Sequence, residues 1–555
     1  MKKRFWQWFG IAGILLGATS LLSGQHPQQS APPQFVTLPI LGRTAPTTLV
    51  NGHVVFVPTV ANEKITNLAP PPGTSGKAGG GGSGNTVPPD FGLSGAVVPS
   101  TDSTCFANFS NNFDVACADD SYQGEPMLQN NQTQLALFGA ENDIYPGNCS
   151  SSALPGTIGD CALSSAFSTD EELGQTWQRF KLSRTWGGHT FLLSFDPSVA
   201  VDSLGNTFVA FGFADSSGPS GMGAVMGVHD TNSPGGVKWT KTNPVSLNGG
   251  STFDDKMWIA ADAFSGSNFK DHLYIAWDRN QSNNQILMVA SSSNQGQTWS
   301  KPIKVNDGKT KFERVIYAFP AVSPGKSSAS IPAGTVYILW FDYAKSAIFM
   351  DHSIDGGVTW GTDVEVAPIH ISAPGFVDIG CNGGRSMTAA PQMAIDSSGN
   401  IFVVFADQLP GQGHDFDIFL TMSSDGSRTW SSPVRATDTA TGQQYNPAIS
   451  IDSSNAIDIS YLDRRDDANN CRTNTYFSQW SFSGSALGKA GSDSRVTNAD
   501  SDFDGNPNGP GDYSGIATAG TTAHPYFTDH RDANATSDNN SGTIDGGFEI
   551  YTAPR

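Results

Sequence analysis

The stretch Ser353-Ile-Asp355-Gly-Gly357-Val-Thr359-Trp360 decides how this chain is read. It has the form Ser-x-Asp-x-Gly-x-Thr-Trp, and each residue type has a local use. Asp accepts hydrogen bonds from nearby backbone N–H groups in an Asx-type turn, Gly permits the reversal, and Trp packs the turn onto the structure below. The pattern returns as Ser292-Ser-Asn294-Gln-Gly296-Gln-Thr298-Trp299, with Asn for Asp, and as Ser423-Ser-Asp425-Gly-Ser427-Arg-Thr429-Trp430, with Ser for Gly. A copy with a two-residue insertion runs from Ser168 through Asp170 and Gly174 to Trp177, and a degenerate one surrounds Trp239. The tryptophan steps are 62, 60, 61 and 70 residues, a period that signals a repeat architecture.

Two further markers keep the same period. An aromatic residue shortly before Asp ends a β-rich run at Asp215, Asp278, Asp342, Asp407, Asp463 and Asp529. An apolar run ends in Asp at Asp202, Asp262, Asp396 and Asp452, followed by turn residues such as Ser203-Leu-Gly205-Asn206. Runs such as Ile401-Phe-Val-Val-Phe405 are apolar on both faces and read as strands buried between packed sheets. First strands are expected near residues 126, 196, 256, 318, 391, 446 and 514. The expected fold is all-β, a β-propeller of six or seven four-stranded blades. Its short last unit needs a strand from the N-terminal side of the domain to complete it.

These turns resemble the Asp boxes, or bacterial neuraminidase repeats, of the sialidase superfamily, over about residues 120–555. The resemblance implies a propeller with each box between the third and fourth strands of its blade, on the face away from the active site. Asp170, Asn294, Asp355 and Asp425 are then structural. The family's enzymes use three arginines on the substrate carboxylate, an Asp acid/base, and a Tyr nucleophile paired with Glu. Tyr513-Ser514 is similar to the family's Tyr-Ser, Asp278 stands for the acid, and Arg279, Arg465 and Arg531 supply guanidiniums for an anion. The family's Arg-Ile-Pro near the first blade is missing, since that region reads Glu125-Pro-Met-Leu128. The implied function is a carbohydrate-active, glycoside hydrolase-like propeller acting on an extracellular glycan or glycoprotein, as a monomer. The alternative is a non-catalytic extracellular propeller that binds glycans or proteins. A weaker one is an envelope structural protein tethered by its N-terminus.

Composition bounds the rest. The 555 residues include 61 glycines and 33 prolines, with 15% charged and 38% hydrophobic residues, which suits many strands and turns rather than a helical bundle. The net charge, 31 basic minus 51 acidic or −20, disfavours nucleic-acid partners. Met1-Lys2-Lys3-Arg4 followed by the apolar run to Leu22 reads as an export signal over residues 1–24, or as an uncleaved anchor, the one route to a membrane. The expected location is secreted, periplasmic or cell envelope. Residues 25–100 are a Pro/Gly-rich linker, with Val54-Val-Phe-Val-Pro58 a candidate strand, and residues 101–555 form the propeller domain. Six cysteines suggest disulfides, and spacing favours Cys105–Cys117, Cys149–Cys161 and Cys381–Cys471. No cofactor is required. The oxygens of Asp500, Asp502, Asp504 and Asn506, with Gly505 sixth in the loop, resemble the opening of a calcium loop or an ordinary acidic turn.

Overall fold

The computed structural model describes residues 35–36, 47–50, 53–56, 98–99, 113–114, 122–131, 136–145, 161–168, 178–182, 185–186, 189–191, 193–214, 220–230, 237–249, 252–281, 284–308, 313–371, 387–408, 415–484, 486–503, 510–530 and 549–555. Among them, strands dominate and the one helical element is a 3-10 turn at Ser327–Ala329. Seven antiparallel sheets of four or five strands follow one another along the chain.

Sheet 1 begins at Tyr122–Asn131, sheet 2 at Leu193–Val201, sheet 3 at Thr252–Ala261 and sheet 4 at Val315–Val322. Sheets 5, 6 and 7 begin at Gln392–Ile395, Gln444–Ile451 and Gly515–Ala519. These starts agree with the seven expected from the repeat. Sheets 2 to 6 add their strands in chain order, and sheet 1 does so up to Gln178–Lys181, beyond which it carries the earlier strand Val98–Pro99. Sheet 7 differs: its outermost strand is Phe113–Asp114, which pairs Tyr551 with Asp114 and Thr552 with Phe113. The strand needed from the N-terminal side is therefore present.

Second strands are the most deeply buried. Thr207–Ala214, Val336–Asp342, Ile401–Gln408 and Ile457–Asp463 are buried at every position. Side chains on both faces pack against neighbouring sheets, as the two-sided apolar runs require. Each first strand touches the first strand of the next sheet, from sheet 1 through to sheet 7, and the first strand of sheet 7 touches that of sheet 1. All seven line one channel of about 320 Å³, with Met127, Ala200, Ile259, Pro320, Ala394, Ser450 and Ala517 each contributing from a different sheet.

The Ser-x-Asp-x-Gly-x-Thr-Trp turns sit between third and fourth strands, after Ser292, Ser353 and Ser423. In sheet 4, Asp355 Oδ1 accepts from Val358 N at 3.1 Å and Thr359 N at 2.8 Å, and the Thr359 hydroxyl donates to Oδ2 at 2.6 Å. Asp425 repeats the two Thr bonds in sheet 5, and Asn294 accepts from Thr298 N at 3.0 Å in sheet 3. Burial opposes ionisation of Asp355 and Asp425, but these bonds outweigh it and hold both carboxyls below the usual range. Trp299, Trp360 and Trp430 pack against the cores beneath.

The strands Phe35–Val36, Thr47–Val50 and His53–Phe56 pair with one another, and Val98–Pro99 pairs with Gln178–Lys181. Cys471 is disulfide-bonded. The expected bridges Cys105–Cys117, Cys149–Cys161 and Cys381–Cys471 each involve side chains outside the described residues, as does the signal segment. No helix among the described residues is long and apolar enough to cross a membrane.

Candidate functional site

The turns just described lie at the end of each sheet where third strands finish. Second strands finish at the opposite end, beside the start of the first strands. There the first strands share a distortion. The register slips between Gly124 and Met127, Phe195 and Ser198, Asp255 and Trp258, Ile316 and Phe319, and Tyr445 and Ala448. Such a slip is a β-bulge, which re-aims a side chain. Positive φ falls on the first bulge residue in four sheets, Asp196 at 49°, Lys256 at 49°, Tyr317 at 61° and Asn446 at 47°, and on Ala390 at 39°, just before the first strand of sheet 5. Non-glycine residues rarely hold this conformation, and it gathers at functional sites. Extending the register places Tyr513 at the same position in sheet 7.

The bulge residues meet across the channel mouth. Lys256 Nζ bonds Asp196 Oδ2 of sheet 2 at 3.3 Å and Asp512 Oδ2 at 2.6 Å, just before sheet 7. Its ammonium stands 5.6 Å from the centre of the Tyr513 ring. Trp258 packs edge-on against Tyr513 at 5.3 Å and stacks on Tyr317 at 6.0 Å. Asn446 Nδ2 donates to Gly511 O at 3.0 Å, and Gln392 Nε2 donates to Ser514 O at 2.9 Å. Tyr513, expected as the nucleophile, thus sits buried in this plug.

Asp278 lies beside it, opposite Asp255 in the strand register, and is fully buried. Its Oδ2 accepts from Gln285 Nε2 at 2.7 Å, and Gln285 Oε1 accepts from the Tyr343 hydroxyl at 2.7 Å. Its Oδ1 has no hydrogen-bond partner. Burial first, and the nearby Asp255 second, push its pKa well above the carboxylate range, against the pull of Gln285 and Lys256. The other Asp residues closing second strands each have their own arrangement. Asp342 accepts from the N–H groups of Ala344 and Lys345, Asp407 binds His370 Nδ1 at 2.8 Å, and Asp529 accepts from the Ser501 hydroxyl at 2.7 Å.

The two described arginines of the expected anion site point elsewhere. Arg279 makes a two-pronged pair with buried Asp254, Nε to Oδ1 at 2.6 Å and Nη2 to Oδ2 at 2.9 Å, and adds Ser246 Oγ from the outer strand of sheet 2. Arg465 binds Asp463, Asp493 and the Tyr461 hydroxyl and lies over the Tyr476 ring at 4.2 Å. Neither reaches Tyr513. Arg531 lies outside the described residues, as do Asp504 and Asn506. Asp500 accepts from Arg495 Nη2 at 2.6 Å, and Asp502 pairs with Arg472. No group of three or more acidic, His or Cys side chains suited to a metal occurs among the described residues.

Sequence reasoning missed Lys256, Asp196 and Asp512. A signal for the first two was present: 196, 256, 390 and 446 each precede the strand-ending Asp202, Asp262, Asp396 and Asp452 by six residues.

Neither a family model nor a curated protein sequence matches the chain. Solved structures give weak likenesses. The intramolecular trans-sialidase of Ruminococcus gnavus is 15% identical with a TM-score of 0.40, over 80% of this chain and 96% of that one. The NanB sialidase of Streptococcus pneumoniae is 14% identical with a TM-score of 0.39, over 80% and 69%. The α-L-arabinanase of Penicillium chrysogenum is 11% identical with a TM-score of 0.40, over 63% and 93%. At these scores the likenesses fix neither architecture nor chemistry.

Proposed function

We propose that the seven sheets are the blades of a closed, exported β-propeller that takes a glycan at the mouth where its first strands begin. The observation that carries this reading is the convergence of equivalent bulge residues, Asp196, Lys256, Tyr317 and Tyr513 among them, on one channel end. The closed succession of first strands and the pairing of Phe113–Asp114 into sheet 7 support the ring. In the sialidase-like scheme, Asp278 serves as the general acid. Its burial favours the protonated carboxyl, the form that protonation of a glycosidic oxygen requires. Tyr513 is the nucleophile, with the Lys256 ammonium 5.6 Å from its ring centre. Calcium at Asp500–Asn506 would have to displace Arg495 and Arg472.

The test is sugar release by the purified chain from a glycan panel. Asp278→Asn should lower turnover at least about a hundredfold, within the range for a general acid, while the fold and glycan binding persist. A second reading, a non-catalytic glycan-binding propeller, is favoured by the internal use of Arg279 and Arg465. Binding with no turnover by the unaltered chain would select it. Absence of glycan binding would remove both.

A further inference from the structure

At the opposite end of the sheets from the mouth, sheets 4, 5 and 6 enclose a cleft of about 690 Å³. Its walls come from a motif that the mouth does not use. Sheets 5 and 6 join their first and second strands by the same kind of turn, Asp396-Ser-Ser-Gly399-Asn400 and Asp452-Ser-Ser-Asn455-Ala456. In each, the Asp closes the turn from inside. Asp396 Oδ1 accepts from Ser398 N at 2.9 Å and Asn400 N at 2.8 Å, and Oδ2 accepts from Asn400 Nδ2 at 2.6 Å. Asp452 Oδ1 accepts from Ser454 N at 2.8 Å and Ala456 N at 2.7 Å. The two turns are then tied together. Asn455 Oδ1 accepts from Ser397 N at 3.1 Å and from the Ser397 hydroxyl at 2.8 Å. Gly399 has φ of 75°, and Asn455 holds the matching position at 63°. Glycine would sit there without strain, so the asparagine is a local cost, and its side chain braces one turn against the next. The walls are thus fixed before a ligand arrives.

The chemistry of those walls is polar and uncharged on balance. The hydroxyls of Ser328, Ser398 and Ser424 are exposed along the cleft and have no partner among the described residues. Each can both donate and accept. The amide hydrogens of Asn455 are left over, because its oxygen takes both bonds of the brace. Lys326 Nζ donates to Asn400 Oδ1 and keeps two further hydrogens to give. Half-buried Phe482 adds an aromatic wall, its ring set edge-on against Phe402 at 5.9 Å. Lys326 and Asp396 are the only charged side chains among the described residues lining the cleft, and their charges cancel. No excess charge is left to hold an ion. Two-way hydroxyls beside an aromatic ring complement a polyol that has an apolar C–H face.

We infer that this cleft is a second binding site, at the end of the sheets away from the mouth, for a neutral sugar unit of an oligosaccharide. The sugar hydroxyls bond to Ser328, Ser398, Ser424, Asn455 and Lys326, and its C–H face lies toward Phe482. The inference stands on the cleft alone, so it and the reading of the mouth can each fail without the other.

The experiment uses the full chain, with xylo- and malto-oligosaccharides as neutral probes and oligogalacturonate as the acidic one. Hydrogen exchange read by mass spectrometry locates the ligand, and its dependence on probe concentration gives the affinity. The expected result is that a neutral probe slows exchange at residues 397–400 and 453–456. Segments around Lys256 and Tyr513 report separately on the mouth. Asn455→Gly suits the left-handed backbone and removes the amide, and Ser398→Trp fills the cleft from an exposed position. Each should weaken binding at the cleft tenfold or more and leave protection at the mouth unchanged, and either decides if the other fails to fold. Protection by neutral probes at the mouth alone, or at the cleft but undiminished in both variants, would overturn the inference and leave the mouth reading standing. Protection of the cleft by oligogalacturonate alone would overturn the neutral class. Protection at the cleft alone would support the inference and remove the mouth reading, and protection nowhere would bring down both.

Discussion

Arg279 and Asp278 are adjacent in sequence and point to opposite sides of one strand, with opposite consequences. Arg279 satisfies buried Asp254 and ties the outer edge of sheet 2 to sheet 3 through Ser246. Removing the guanidinium leaves Asp254 charged and buried, so Arg279→Ala should destabilise by about 3 kcal/mol, measured by urea unfolding. A second residue-scale expectation concerns Asp351, a buried carboxyl on the third strand of sheet 4. Burial, and then the charges of Asp363 and Asp307, push its pKa up to about 7, despite the bond that it accepts from His352 N. Its folded value lies above its unfolded one, so between about pH 4 and pH 7 the native state holds the extra proton. The contribution of this group to stability therefore rises as pH falls from 8 toward 5. Asp351→Asn should melt higher than the unaltered chain at pH 8 and match it near pH 5. A difference independent of pH would refute the assignment.

At the scale of single elements, the Ser-x-Asp turns are interchangeable in backbone but unequal in strain. Gly296 and Gly357 sit at φ of 74° and 83°, and Ser427 takes the same place in sheet 5 at 67°. Its hydroxyl is also buried with no partner. Ser427→Gly should stabilise by about 1 kcal/mol in thermal or urea unfolding, since it relieves a left-handed serine and a lost hydrogen bond together. Asp355→Ala should cost about 1 kcal/mol and leave the glycan binding proposed at the mouth untouched, because the turn lies at the far end of the sheet from the mouth. Strands and turns were legible in the sequence because each repeats: the Asp of an Asx turn, the glycine after it and the tryptophan recur at a fixed offset. The mouth was less legible because its chemistry is non-repeating. The bulge position recurs, but Asp196, Lys256, Tyr317, Ala390 and Asn446 share no residue type, so a search for a recurring letter passes over them. Tyr513 was found through its neighbour Ser514, and its burial against Trp258 depends on a contact between distant sheets that no local pattern carries. The arginines were read from their position beside the second-strand Asp. Neighbouring residues on a strand face opposite sides, so Arg279 faces Asp254 while Asp278 faces Gln285 and, through it, Tyr343.

For the whole molecule, the seam in sheet 7 decides integrity. A chain beginning at residue 120 would lack Phe113–Asp114 and leave Glu549–Thr552 as an open edge. Such a truncation should lower the melting temperature and promote association visible by light scattering. A truncation at residue 101 keeps the seam, loses the pairing of Val98–Pro99 and the separate strands Phe35–Val36, Thr47–Val50 and His53–Phe56, and should remain close to the full chain in both measurements.

That seam also sets an order of events in time. The two strands that meet in it come from opposite ends of the fold, so the first to leave the ribosome waits for the last. Sheets 2 to 6 are each built from contiguous chain and can form as they emerge. The final pairing of Tyr551 with Asp114 cannot begin until synthesis is nearly complete. Until then the nascent chain is an unfinished arc with two sticky ends. A chain threaded through a membrane before folding would meet its own beginning already on the far side, and the joining of ends becomes the slow, last step of maturation.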